Sequence, residues 1–284
     1  MFAKIWLWVR QHKKQAVFDC LLCVLVIWAV IGIFLPLGVT RVEIASPDLP
    51  PAFDGFTILQ ISDLQGSMNE RILEYAQQLQ PDIIVFTGDN LYNKKSEGYL
   101  EWTLQLVRDL REVAPIYAVS GNHDLWNKNF KSNQRLLSEA GVIHLENTFA
   151  TIEKENDAIH IMGVTDPNTL DHDRSQKTIK RYLEQVPATS GYDVLLFHRA
   201  GNLDELMGRG FELVLSGHNH GGQVRIPLLG GVMTPDMQLF PKYTEGMHQI
   251  DETTTAVISR GIGNTVSIPR IHNPPELVFI TLKA

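Results

Sequence analysis

Five short apolar runs, each followed at once by residues with metal-capable side chains, narrow the folds open to this chain more than any other feature. The runs are Phe56 to Ile61, Ile83 to Phe86, Ile116 to Val119, Val194 to Phe197 and Leu213 to Leu215. Their length and composition suit buried strands. Helical patterns lie between them. Leu100, Leu104, Val107 and Leu110 share one helix face, and the pattern from Glu70 to Gln80 stops at Pro81, which cannot continue a helix. Two further strand-like runs, Ala256 to Ile258 and Leu277 to Leu282, follow near the C-terminus. Such alternation indicates an α/β fold with helices covering sheets.

The continuations of the five runs are Ser62-Asp63-Leu64-Gln65, Thr87-Gly88-Asp89-Asn90, Ser120-Gly121-Asn122-His123-Asp124, His198-Arg199 and Ser216-Gly217-His218-Asn219-His220. Ligands of open α/β sheets bind beyond the carboxyl ends of the strands. Five segments can therefore bring their side chains to one rim. Singly, each has an ordinary reading. An Asp after a strand caps a turn or helix, and a lone His is a structural residue. On a strand, His218 and His220 would face opposite ways, so they need a bend or two metals to act together. Taken together, the five point to a shared metal site. Glycine before Asp89, Asn122 and His218 allows sharp turns and close approach there.

The N-terminal region carries a second signal. Residues Val17 to Leu37 read VFDCLLCVLVIWAVIGIFLPL, enough to cross a hydrocarbon core of ~30 Å as a helix. Lys4, Arg10, Lys13 and Lys14 precede it and only Arg41 follows closely, so the positive-inside bias places the N-terminus in the cytoplasm. Trp6 and Trp8 fit the interface. A cleaved signal peptide is the rival reading, but the run is long and the nearest cleavage-like site, Glu43-Ile44-Ala45, is poor. The flanking charges argue against a buried core helix. The expected division is a basic cytoplasmic segment at 1–15, a transmembrane anchor at 16–39, a linker at 40–55 and one domain at 56–284. The stretch Ser46-Pro47-Asp48-Leu49-Pro50-Pro51 would stiffen that linker. The protein is thus expected as a single-pass protein of the cell membrane with its domain extracytoplasmic. Cys20 and Cys23, the only cysteines, lie in the apolar run, leaving no disulfide or thiolate chemistry elsewhere. A net charge of -7 argues against a nucleic-acid partner.

The motif order resembles that of the calcineurin-like metallophosphoesterase superfamily. Its D-x-H, GD, GNH-plus-acid, isolated His and GH-x-H blocks correspond to Asp63-Leu64-Gln65, Gly88-Asp89, Gly121-Asn122-His123-Asp124, His198 and Gly217-His218-Asn219-His220. The segments Gly221 to Pro227, Phe240 to Gly246 and Ser259 to Asn264 are similar to those of the bacterial membrane-anchored branch. The resemblance implies a four-layer α/β/β/α sandwich of two mixed sheets after one N-terminal transmembrane helix. It implies two divalent ions bridged by Asp89. One is held also by Asp63, Gln65 and His220, the other by Asn122, His198 and His218. His123 would stand beside the substrate phosphate as charge stabiliser or proton donor, with Asp124 orienting it.

Gln65 departs from the pattern, since the family usually has His there. Three readings stay open: ligation through the amide oxygen, support of a metal-bound water, or a weakened site. Candidate ions are Mn²⁺, Zn²⁺, Fe²⁺ and Mg²⁺, with Mn²⁺ favoured because an amide oxygen makes the site harder. The implied activity is that of a phosphodiesterase acting through a hydroxide activated by two metals, on a phosphate ester of the membrane or envelope, including lipid-linked ones. A phosphomonoesterase or a pyrophosphatase of a nucleotide-linked lipid is the alternative within hydrolases. A catalytically impaired binding module is the alternative outside them. Arg199 and Arg260 are candidates for phosphate contact or for plain salt bridges. The polar stretch Asp166 to Ser175 could border the site. The apolar segment Leu228, Leu229, Val232, Met233, Met237, Leu239 and Phe240 is read as ordinary packing between strands, with a groove for an acyl chain or a dip towards the membrane as the other reading.

Overall fold

The computed structural model describes residues 13–91, 98–186 and 189–284. Lys4, Trp6, Trp8, Arg10 and His12, named above, lie outside the described residues. The first element is helix α1 (Lys13–Ile33). Residues Lys14–Ile33 have a mean hydropathy of 2.7 and are almost wholly uncovered by protein. A helix that is apolar on all sides and exposed needs another apolar solvent around it. By length and composition α1 can cross a membrane.

After α1 the chain builds two six-stranded sheets. The first has the order β1-β14-β2-β3-β4-β5, formed by β1 (Gly38–Ala45), β2 (Thr57–Ile61), β3 (Ile83–Thr87), β4 (Ile116–Val119), β5 (Val142–His144) and β14 (Glu276–Lys283). Strands β2 to β5 are parallel, β14 is antiparallel to β2, and β1 is parallel to β14. The second has the order β12-β13-β9-β8-β7-β6, formed by β6 (Thr148–Lys154), β7 (Asp157–Val164), β8 (Tyr192–Arg199), β9 (Leu213–Gly217), β12 (Gly246–Gln249) and β13 (Thr255–Ile258). Its middle strands are parallel, and β6 and β12 are antiparallel edges.

Strand alternation sorts the side chains into layers. Ile58, Val85, Val119, Val194, Leu196 and Leu215 point between the sheets and form one buried cluster. Their sequence neighbours Leu59, Ile61, Ile84 and Phe86 point outward and pack under α2 (Arg71–Leu79), α3 (Tyr99–Arg111) and α5 (Phe130–Glu139); α4 is the single turn Asn122–Leu125. Leu195, Phe197 and Val214 face α6 (His172–Leu183) and the 3-10 turn Ala200–Leu206 on the far side. The protein is therefore a four-layer α/β/β/α sandwich of two mixed sheets. Strands β3 and β8 read as continuous apolar runs because both faces are covered.

Residues 40–55, expected as a linker, belong to the fold. β1 pairs along its whole length with β14, from Gly38↔Glu276 to Ala45↔Lys283. Leu49 and Phe53 are buried. The proline cluster shapes a turn that tucks Phe53 under the sheets, and so the extended-linker reading does not hold. The topology has a second effect. Because β1 and β14 run against β2, their N-terminal ends lie at the rim where β2, β3 and β4 finish. The chain thus leaves α1 and enters the domain at that same rim.

Gly163, on β7, packs tightly against Leu145 and Val119 of the first sheet's side. A Cβ there would sit 1.9 Å from the Leu145 carbonyl oxygen and 2.6 Å from a Val119 methyl. Gly163→Ala is expected to destabilise the domain by about 3 kcal/mol through overpacking, read from the urea midpoint of the detergent-solubilised chain.

Candidate metal centre

Asp63, Gln65, Asp89, Asn122, His198, His218 and His220 come together at the carboxyl ends of β2, β3, β4, β8 and β9, buried between the sheets. The backbone reaches this arrangement at a cost. Asp63 (φ 52°), Gln65 (φ 41°), Asp89 (φ 55°), His218 (φ 69°) and His220 (φ 47°) all occupy the left-handed region, which non-glycine residues avoid and which concentrates at functional sites. For His218 and His220 this supplies the bend that two histidines on one strand would lack. The glycines act mainly by absence of bulk. A Cβ at Gly121 would lie 2.2 Å from Asp89 Oδ1, and one at Gly217 2.4 Å from Asp63 Oδ2. Only Gly88 among the three needs its positive φ, of 99°.

The half of the site around Asp89, Asn122, His198 and His218 presents lone pairs inward. His198 Nδ1 donates to the Thr87 carbonyl at 2.8 Å. That leaves Nε2 facing Asn122 Oδ1 at 3.2 Å, His218 Nδ1 at 3.3 Å and Asp89 Oδ2 at 3.4 Å. His218 Nε2 donates to Asp236 Oδ2 at 2.8 Å, which turns Nδ1 towards the cluster. Ligand atoms of Asp89, His198 and His218 all lie within 4.8 Å of one another. Electrostatics agree. Burial works to raise the Asp89 pKa, but His198 outweighs it and holds the carboxyl well below its ordinary range. Burial works to lower His198, but the Asp89 carboxylate prevails and pushes it up to about 10, so a proton on Nε2 stands where a cation would otherwise take that lone pair. This position favours positive charge, as a cation-binding site must.

The half around Asp63, Gln65 and His220 is built differently. His220 Nε2 lies 3.3 Å from Asp63 Oδ1, and burial holds His220 below its ordinary pKa. Gln65 Nε2 donates to Asp89 Oδ2 at 2.7 Å, while its Oε1 is buried without a hydrogen-bond partner. The buried Arg270 guanidinium stands 3.2 Å from His220 Nδ1. Arginine only donates, so the His220 ring proton sits on Nε2, towards Asp63. Here an amide N–H and a ring N–H point inward. The orphaned Gln65 oxygen suits a cation once the amide is turned over. The residues therefore fit two cations, one half better than the other.

His123 lies on the wall of the cleft, with Nε2 4.0 Å from Asp89 Oδ2 and its ring edge-on to Trp126. Burial holds it below its ordinary pKa. Asp124, implied by the resemblance to orient His123, also holds backbone. Its oxygens accept the backbone amides of Leu91 at 2.7 Å, Gly121 at 2.9 Å and Asn90 at 3.3 Å. It ties the loop after β3 to the loop after β4, and burial and the Asp89 charge push its pKa up to about 7. Arg260 resolves to its salt-bridge reading, paired with Glu276 at 2.6 Å and Glu245 at 3.3 Å. Arg199 is buried between Asp166 at 2.8 Å and Asp236 at 3.2 Å, so its charge is already matched. Asp166 does border the site, through Arg199.

Asp236, Arg270 and Ser62 escape a reading of the sequence. Ser62 donates to Asp63 Oδ2 at 2.6 Å. Asp236 comes from a loop in the apolar segment after β11 (Gly230–Gly231), where nothing in the pattern marks it. The cleft over the cluster measures about 770 Å³, with Trp126, Leu170, Met237 and Val266 forming apolar walls. A second cleft of about 660 Å³ adjoins it at His218 and Asp236, lined by polar groups including Thr169, Ser175 and Asn202.

Comparison with known proteins places the geometry in context. The family model described as calcineurin-like phosphoesterase matches residues 56–222. Two metallophosphoesterases of Bacillus subtilis that are themselves uncharacterized are similar. YkoQ is 31% identical over 85% of this chain and 88% of its own, and YkuE is 28% identical over 86% and 85%. The phosphodiesterase YaeI of Escherichia coli is 26% identical over 80% of this chain and 82% of its own.

A carboxylate that orients a ligating imidazole raises its affinity for metal. Asp236→Asn is expected to weaken binding of the tighter divalent ion by roughly 10- to 100-fold and, by removing one of the two carboxylates that match Arg199, to lower the melting temperature of the metal-free protein, as read by calorimetric titration with Mn²⁺ and by a melting curve.

Proposed function

Because the chain belongs to the calcineurin-like phosphoesterase family, we propose that it is a metal-dependent phosphodiesterase whose two ions are held by the seven converging side chains. The observation that carries this reading is the set of four lone-pair atoms, Asp89 Oδ2, Asn122 Oδ1, His198 Nε2 and His218 Nδ1, facing one another in a buried, cation-favouring pocket. Asp63, Gln65 and His220 would hold the second ion, with Asp89 shared. When bound, such a pair of divalent ions polarises a phosphoryl oxygen and lets water ionise near neutral pH. Mn²⁺ is the ion we favour, because amide and carboxylate oxygens harden the donor set.

The chain's own residues supply the rest. Asp63 and Asp89 bring only two negative charges against two divalent cations, and the other ligands are neutral, so the loaded site stays positive towards an anionic ester. His123 stands on the cleft wall, outside the proposed ligand set. With its pKa held down by burial, it favours donating a ring N–H hydrogen bond to the charge building on the phosphoryl or leaving oxygen. The apolar walls of the cleft limit water around the ester. The relative named as a phosphodiesterase supports a diester over a monoester. We read α1 as an anchor that fixes the domain on the extracytoplasmic face of the cell membrane, which favours esters of the membrane or envelope by proximity.

A second reading, a binding module with impaired catalysis, draws on the Gln65 amide at Asp89 and on Arg270 behind His220. One experiment separates the two. The full chain in detergent is assayed on bis-p-nitrophenyl phosphate with Mn²⁺, Zn²⁺, Fe²⁺ or Mg²⁺, alongside metal analysis. Turnover that a chelator abolishes and added metal restores is expected; full occupancy without turnover would establish the module instead. His123→Ala should lower turnover by roughly 100-fold or more with metal content unchanged, and loss of metal in that variant would refute its role off the ligand set. Calorimetric titration should resolve two unequal sites, the weaker by roughly tenfold or more. Gln65→His should narrow that gap by strengthening the weaker site.

A further inference from the structure

The segment from Arg225 to Phe240 leaves large apolar side chains uncovered at positions where the backbone disfavours them. Strands β10 (Arg225–Ile226) and β11 (Gly230–Gly231) form a short hairpin. Its turn is closed by the Leu229 amide donating to the Ile226 carbonyl at 3.1 Å. Leu228 follows Pro227 in this turn with φ 69°, a position that normally takes Gly or Asn. It is fully exposed, and Leu229 beside it is also exposed. Met237 (φ 65°) and Phe240 (φ 47°) repeat the combination of left-handed backbone, bulk and exposure, and Leu239 between them is exposed too. A bulky residue in that region is an outlier, and its cost calls for a use. Packing within the domain is not that use, so the reading as ordinary packing between strands holds for the half-buried Val232 and Met233 and is corrected for the other five.

Three features fix where the face lies. Val224 bridges Ile271, whose carbonyl accepts the Arg225 amide at 2.9 Å. The next residue, His272, lies against α1: its ring stacks on Trp28 at 4.1 Å and its amide donates to the Gly32 carbonyl at 3.0 Å. Only residues 34–37 separate α1 from β1, which begins at the rim that bears the metal centre. The hairpin, the cleft and the end of α1 therefore share one side of the domain. Met237 belongs both to the exposed face and to the wall of the cleft, so the two are continuous. Arg225 and Lys242, which flank the face, are paired with Glu245 and Asp204. Attraction to anionic head groups is thus not what such a face offers; apolar insertion is.

We propose that Leu228, Leu229, Met237, Leu239 and Phe240 form a membrane-contact face, seated in the leaflet where α1 ends, and that the cleft opens directly onto lipid head groups. This rests on the reading of α1 as an anchor and narrows the substrate to a phosphate ester borne by a lipid in that leaflet. The ester is taken from the bilayer without first leaving it, its apolar part remaining among the lipids while its phosphate enters the cleft past Met237.

The test uses the full chain in phosphatidylcholine nanodiscs, with Cys20 and Cys23 replaced by Ser and a nitroxide attached to Leu239→Cys. Glu155→Cys is the control, in the turn between β6 and β7 at the opposite end of the sheets. The label at 239 should relax more with oxygen than with a water-soluble nickel chelate, and the label at 155 the reverse. Adding Leu228→Asp and Leu229→Asp should shift the label at 239 towards the chelate. The same pair should lower hydrolysis of a head-group-labelled phosphatidylethanolamine in the disc roughly tenfold, with turnover of bis-p-nitrophenyl phosphate unchanged. A label at 239 as chelate-accessible as that at 155 overturns the proposal. So does spin–spin broadening at 239 that disappears on dilution with unlabelled protein, which would assign the face to a second copy. Equal loss on both substrates overturns the link between face and substrate. If the parent chain turns over neither ester, the phosphoesterase reading fails while the depth measurement still decides the contact.

Discussion

A carboxylate with no access to water must find compensation, and Asp89 organises its surroundings around that need. Its Oδ1 accepts the His123 amide at 2.8 Å, while its Oδ2 faces the Gln65 amide and the His198 ring. Each of these comes from a different strand end. The first sheet supplies Gln65, Asp89 and His123, and the second supplies His198. Gln60 reinforces the junction nearby, donating to Thr87 Oγ1 at 3.1 Å and across to the Ser216 carbonyl at 2.8 Å. A buried polar junction of this kind specifies one register of sheet on sheet, because any slip would leave its members unpaired.

Much of this arrangement was legible in the chain. The strand-like runs at 83–86 and 116–119 match β3 and β4 closely because both faces of those strands are covered and the apolar signal is unbroken. The placement of Asp63, Asp89, Asn122, His198, His218 and His220 at one rim follows from strand polarity alone. β1 was not legible. Its residues Val39, Arg41 and Glu43 alternate with Thr40, Val42 and Ile44 as in a half-covered edge strand, and beside a long apolar helix that weak pattern reads as linker. The hold of Asp124 on the backbone amides of residues 90, 91 and 121 was not legible, because no residue type announces a backbone partner. Asp236 and Arg270 are long-range partners of His218 and His220, and nothing near either residue in the chain marks it.

The two halves of the centre differ in which groups stand behind the histidines. A carboxylate, Asp236, backs His218 and leaves its inner nitrogen free to bind. A guanidinium, Arg270, backs His220 and draws the ring's lone pair outward. Both arrangements satisfy buried polar atoms equally well, but their effect on an incoming cation is opposite. Gln65 adds to the contrast, since its amide can present either a proton or an oxygen to the same space. The inequality is thus a property of the surrounding shell as much as of the single residue that departs from the family pattern.

The strand order β1-β14-β2 has a consequence for how the protein is made. β1 leaves the ribosome well before its partner β14, which is drawn from residues 276–283. Until that late segment arrives, β2 has an open edge and β1 has nothing to pair with. Closure across almost the entire length of the domain is entropically slow, and an open edge invites wrong pairing. On the proposed reading of α1 as an anchor, tethering would offset this, holding the waiting strand within a few residues of the bilayer and apart from neighbouring copies. Assembly of this sheet therefore runs against the order of synthesis, with β1 made well before the strand that fastens it.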